Sequence, residues 1–164
     1  MSNQIVVFTL EGCRFCVDLK KELNIDTNSL LILMVARFEP NKDHITLLSA
    51  VKKLQNTNIK VLLAGEGRTL TLVKNYVLAN GLEKQCFFLG VRHDIRSVMN
   101  SVDLNVLSTE YEGLSGVTIE SLAANKPFIG TDVPGVKELV GDNFSLVKYQ
   151  DVEKLAEKIT SLLF

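Results

Sequence analysis

The sequence predicts a doubly wound α/β domain, with a mainly parallel sheet and helices on both faces. Three observations carry that prediction. Apolar runs of strand length alternate with segments of helical periodicity along most of the chain. The strongest run, LLILMVA at 30–36, is apolar at every position, as in a strand covered on both faces. Parallel strands need helical crossovers, and the segments between the runs have that length. No repeat, linker or composition break divides residues 24–164.

The elements follow in order. After 30–36, the segment 43–54 places Leu47, Leu48, Val51 and Leu54 on one helical stripe, with Asp43 at its start as a cap. IKVLLAG at 59–65 is the next strand. The helix at 69–81 turns Leu72, Val73, Tyr76 and Val77 to one face and stops at Gly81. Short strands at 86–90 and 103–108 flank a helical turn at 94–99. A helix at 116–125, a strand at 127–131, a short helix at 136–140 and a strand at 144–148 come next. The last helix, 151–163, directs Val152, Leu155, Ala156, Ile159, Leu162 and Leu163 inward.

Composition narrows the function classes. The 164 residues are 46% hydrophobic, enough for a sizeable core and against a disordered chain. Eighteen Lys+Arg against nineteen Asp+Glu give a formal charge of −1 without a polybasic run, which argues against a nucleic-acid backbone binder. An anionic ligand must therefore be met by a few local cations. Three cysteines, Cys13, Cys16 and Cys86, do not make a disulfide scaffold. With no apolar stretch of membrane-span length and no signal-peptide pattern at the N-terminus, the chain reads as soluble and cytoplasmic.

In an open parallel sheet, ligands bind beyond the carboxyl ends of the strands. The loops there read ARFEPNKD, AGEGRT, GVRHD, STEYEGLSG and TDVPGVKE, so glycines, cations and carboxylates gather at one end of the sheet. This points to a phosphorylated ligand that also carries hydroxyls. Glu112 and Glu120 bracket Gly113, Ser115 and Gly116 at the start of a helix, where free N–H groups and the helix dipole suit a phosphate. By spacing alone, Ser115 as a simple cap with two solvated glutamates explains the same residues.

Several motifs stand in register: R-x4-K after the first strand, G-x-G after the second, FFLG, S-x3-EG-x6-E and KPFIGTDVPGVKELV. Their succession resembles the donor-binding, C-terminal half of retaining glycosyltransferases with the GT-B fold, of the family 4 or glycosyl transferases group 1 type, over residues 24–164. The resemblance implies a Rossmann-like domain that binds a nucleotide diphosphate sugar. It implies that Arg37 and Lys42 neutralise the donor diphosphate, that Glu112 lies beside the transferred sugar, and that Glu120 binds the ribose hydroxyls. It places the amides of Leu114, Ser115 and Gly116 on phosphate and sugar oxygens, Gly65 and Gly67 in the donor site, and the backbone of Val91 and Arg92 beside the base. No cofactor beyond the substrate nucleotide sugar and no metal is implied. The chain departs from the family pattern at Ala36, Ser121 and Asn125, none of them a ligand-contacting charge. A complete enzyme of this kind also has an N-terminal acceptor domain, for which 164 residues leave no room, so sugar transfer by this chain alone is not expected.

Residues 4–23 differ in character. A β-rich run, a glycine and a C-x-x-C opening an amphipathic helix resemble the first β–α unit of a glutaredoxin, with Cys13 attacking and Cys16 resolving. Residues 1–23 are thus a segment packed with 24–164 as one globular unit, and either a redox pair or a lead-in with incidental cysteines. A thiol–disulfide oxidoreductase, a nucleotide-sugar epimerase half and a fused or designed chimera without activity remain the rival readings. His44 and His93 read as solvated loop histidines without metal-ligand partners, and Cys86 as core.

Overall fold

A computed structural model describes residues 19–56, 58–141 and 145–164. Six strands form one sheet: β1 (Leu30–Val35), β2 (Ile59–Ala64), β3 (Cys86–Gly90), β4 (Leu104–Leu107), β5 (Phe128–Thr131) and β6 (Ser145–Val147). Their order is β3-β2-β1-β4-β5-β6, and every neighbouring pair is parallel. The helices between and after them are α1 (His44–Leu54), α2 (Leu70–Ala79), α3 (Ile95–Ser101), α4 (Gly116–Ala123), α5 (Pro134–Val140) and α6 (Val152–Leu163). The predicted fold class and the order of elements from residue 30 onward are those observed, and the predicted β-rich run that opens residues 4–23 lies outside the described residues.

The β1 run is apolar throughout because both of its faces are covered. Ile32 and Met34 meet Leu47 and Val51 of α1, Val73 and Val77 of α2, and Leu155 and Ile159 of α6 in one cluster. Leu31 and Leu33 point the other way, into a cluster with Leu19, Ile25, Val98 and Met99. Alternate side chains along a strand face opposite layers, so one continuous apolar run serves two cores. Residues 19–22 are helical and join the second layer through Leu19.

Local signals start and stop the helices. Asp43, Ser115 and Asp151 each accept the backbone N–H three residues ahead, from Thr46, Thr118 and Lys154. Gly81 follows α2 with φ +66°, the left-handed geometry that ends helices. Pro134 sits in the first turn of α5, so that helix starts earlier than predicted. Two residues predicted to face inward do not. Leu72 is 57% exposed and Leu162 37% exposed, because the buried stripe of α2 runs through Val73 and Val77 and that of α6 ends at Ile159. Among the described residues, no helix is long and apolar enough to cross a membrane.

Candidate functional site

The strand order reverses between β1 and β4, and the loops that follow these two strands flank the resulting crevice. They are bonded to one another. Asp43 N donates to Ser108 O at 3.0 Å, and Glu110 N donates to Asn41 O at 2.8 Å. Lys42 and Thr109 pair as an isolated antiparallel bridge. Thr109 is fully buried; its hydroxyl donates to Asn41 O and its N–H to Thr131 Oγ1 on β5. This bonding aims the Lys42 side chain across the crevice, where its ammonium pairs with the Glu112 carboxylate. Both side chains are largely buried, at 17% and 13% exposure. Glu112 is therefore not a solvated carboxylate.

A cavity of about 170 Å³ opens at this point. Arg37, Lys42, Glu112, Leu114, Ser115 and Gly116 line it, over a floor of Val35, Ala36, Leu107 and Val117. Six predicted residues, from two loops that are far apart in the chain, thus line one cavity. The first turn of α4 opens onto the same space, and its N–H groups precede the helix's own hydrogen-bond ladder. A Cβ placed at Gly113 or Gly116 would meet no atom beyond its chain neighbours and its own helix within 4 Å among the described residues, so packing there does not require either glycine. Arg37 is exposed, and its guanidinium pairs with Glu39 at 3.5 Å.

The other predicted residues do not line this cavity. Glu120 is half-buried, four residues past Gly116 and so on the same side of α4. Val91 is exposed on the loop after β3. Arg92, on the same loop, is held by Glu22 (2.6 Å) and Asp94 (2.7 Å). Those hydrogen bonds raise the guanidinium's pKa further and hold the Asp94 carboxyl below its ordinary value. Gly65 and Gly67, with φ +140° and +150°, lie against backbone: a Cβ would stand 2.1 Å from Ala36 O and 2.4 Å from Phe38 O. Their need for glycine comes from the seam between the first two loops, where Phe38 N donates to Glu66 O and Thr69 N to Phe38 O.

Sequence reasoning missed two residues. Gly135, at the start of α5, lies under the Glu112 loop, and a Cβ there would stand 1.7 Å from Gly113 O. The VPGV pattern carried that signal, but only the fold shows which backbone it meets. His44 is a correction: it is 1% exposed, not solvated, because it begins α1 facing inward. Its ring stacks on Phe38, and burial pushes its pKa down to about 4. His93 is exposed, as predicted, and Cys86 is buried with its thiol pushed up to about 12 by burial. Cys13 and Cys16 lie outside the described residues. No group of three or more His, Cys, Asp and Glu is placed to hold a metal among the described residues.

The sequence profile of glycosyl transferases group 1 matches residues 18–163. The chain belongs to that family. The match starts after Cys13 and Cys16. Among curated relatives, N-acetyl-alpha-D-glucosaminyl L-malate synthase of Bacillus anthracis is 28% identical over 153 residues, covering 92% of this chain and 40% of its own length. UDP-Gal:alpha-D-GlcNAc-diphosphoundecaprenol alpha-1,3-galactosyltransferase of Escherichia coli is 28% identical, covering 83% and 37%. This group 1 chain therefore spans about two fifths of the length of these relatives. Its fold matches Anabaena Alr3699/HepE, solved in complex with UDP-glucose, with TM-score 0.85, 23% identity and coverage of 92% and 43%. It also matches the C-terminal domain of the glycosyl transferase group 1 family protein LpcC of Francisella tularensis, with TM-score 0.77, 22% identity and coverage of 89% and 80%. The architecture is that of the C-terminal half of a GT-B glycosyltransferase.

Proposed function

We propose that the switch-point cavity binds the diphosphate and sugar of a nucleotide diphosphate sugar, and that this domain is the donor half of a retaining glycosyltransferase. One observation carries the reading: Arg37, Lys42, Glu112 and the first turn of α4 converge on a single cavity. Two cations and a helix N-terminus form an anion site, and a carboxylate beside it can accept from sugar hydroxyls. Lys42 exchanges Glu112 for the donor's phosphate oxygens and, with Arg37, stabilises the charge that builds on the leaving diphosphate. Glu112, released from Lys42, orients the sugar. Glu120 takes the ribose hydroxyls, and the backbone at Val91 and Arg92 borders the base. In this reading Gly65 and Gly67 shape the site from behind rather than touch the donor.

The UDP-glucose in the Alr3699/HepE complex and the UDP-Gal in the name of the Escherichia coli relative support a nucleotide sugar as the ligand class. Transfer needs an acceptor held against the anomeric carbon, and such positioning supplies a large share of any bimolecular rate enhancement. In this reading the described residues supply the donor side of the site. Thermal unfolding with UDP, GDP and ADP and their sugars tests the reading. A concentration-dependent rise in Tm with one of these families is expected, since a ligand of the native state alone raises apparent stability. No rise with any nucleoside diphosphate would refute it.

A further inference from the structure

His44 is a polar ring in a place that packing alone could fill with an apolar one. Its ring lies flat on Phe38, with centroids 4.2 Å apart and planes 7° apart. Its Nδ1 donates to the Lys42 carbonyl at 2.9 Å. Its Nε2 is buried without a hydrogen-bond partner among the described residues. An unpaired buried nitrogen is costly, and the Phe38 stack would serve an aromatic hydrocarbon equally well. What distinguishes histidine here is its ring N–H, which adds a second bond to the Lys42 carbonyl beside that of its own backbone N–H (3.0 Å).

The partners of that contact are themselves fixed. Phe38 is fully buried, its N–H and carbonyl are both bonded to the loop after β2, and its ring tilts against Phe88 of β3. Lys42 is bridged to Thr109 on the opposite side. His44 thus joins the Lys42 backbone to the seam between the first two loops.

We propose that His44 is a positioning residue of the donor site: its Nδ1–H bond and its stack on Phe38 fix the Lys42 backbone so that the ammonium enters the cavity beside Glu112. The proposal rests on the reading of Lys42 as a diphosphate ligand. Burial keeps the imidazole neutral near pH 7, so its single proton sits on Nδ1 and Lys42 meets no second positive charge.

Three variants test it by calorimetric titration with UDP: His44→Phe, which keeps a ring on Phe38 but removes the donor; His44→Asn, which keeps an N–H donor near the Nδ1 position; and Lys42→Ala, alone and combined with His44→Phe. His44→Phe is expected to weaken UDP binding about 3- to 10-fold, the worth of one hydrogen bond. Lys42→Ala should cost clearly less in the His44→Phe background than in the parent, because the two residues act as a unit. His44→Asn should bind UDP more tightly than His44→Phe even if it melts earlier. A purely structural role would shift Tm but leave the cost of Lys42→Ala unchanged, and that result overturns the proposal.

A second measurement keeps the two readings apart. The Glu112 carboxyl and Lys42 ammonium resonances are followed by NMR without nucleotide, in the parent and in His44→Phe. If they move in His44→Phe while the parent fails to bind UDP, the positioning stands and the donor reading falls. If they do not move, the positioning itself is refuted, whatever UDP does.

Discussion

Two cavities open at opposite ends of the strands, and the larger one has the poorer chemistry. At the amino ends of β2 and β3, a space of about 450 Å³ is lined by Lys60, Gly81, Glu83, Lys84 and Gln85. All but Lys60 come from one short connection, and Lys60 donates to the Lys84 carbonyl at 3.1 Å. The helix end near it, that of α2, is a C-terminus, which repels anions. The switch-point cavity has less than half that volume but takes its walls from two loops, two cations, a carboxylate and a helix N-terminus. Convergence of separate loops, set by strand direction, distinguishes a site from a hollow.

The switch-point end carries His44, whose native pKa of about 4 lies below its ordinary 6.5. Between those values the unfolded chain binds a proton that the native chain refuses, so stability falls as pH drops from 6.5 toward 4 and is unaffected by this group above that window. The loss is on the order of 3 kcal/mol. Urea unfolding at pH 7, 5.5 and 4.5 should show a shallower decline in His44→Phe than in the parent; equal slopes would detach this end of the sheet from the contrast.

Next, Lys42→Ala should weaken nucleoside diphosphate binding by about 1.5–3 kcal/mol, the range for a charge-assisted hydrogen bond. Lys84→Ala, at the other cavity, should change it by less than about 0.5 kcal/mol. Similar losses from both, by titration calorimetry, would erase the distinction between the cavities. Gly135→Ala should cost about 1–3 kcal/mol of stability, since its methyl must displace the carbonyl of Gly113. It should weaken UDP binding as well, and binding at parental strength in the folded variant would show that the Glu112 loop does not need this support. The smallest effect is expected at Glu120. Glu120→Ala should reduce discrimination against an analogue lacking ribose hydroxyls by about 1 kcal/mol, leaving the diphosphate contacts intact. Competition between UDP and that analogue measures it directly.

The fold was legible because each strand announces itself twice, by its apolar run and by the turn residues after it. The all-apolar 30–36 segment has the length and composition expected of a strand covered on both faces, and Ile32 and Leu33 do lie in different layers. Helix phase was less legible. The spacing of Leu72 fits a stripe, but which arc of α2 meets the sheet is decided by tertiary packing, and it excludes Leu72. At the site, residue type and loop position pointed to Arg37, Lys42 and Glu112 as residues of one end. The pairing of Lys42 with Glu112 was not legible, because it depends on the bridge to Thr109. His44 was misread for a related reason: whether the first residue of a helix faces water or core depends on the angle at which the helix leaves its loop. The glycines at 65, 67 and 135 announced close approach without saying to what, and for each the neighbour is another loop's backbone.

The seam between residues 41–43 and 108–110 has a consequence for how such a domain can change. Asn41 O accepts from both Glu110 N and the Thr109 hydroxyl, so each loop's path is written partly in the other's backbone. A recombination crossover between them would bring together halves whose lengths were set apart, and an insertion in one would pull Lys42 off Glu112 without altering a single side chain at the cavity. The two loops are thus a single unit of inheritance, although three helices and three strands separate them in the chain.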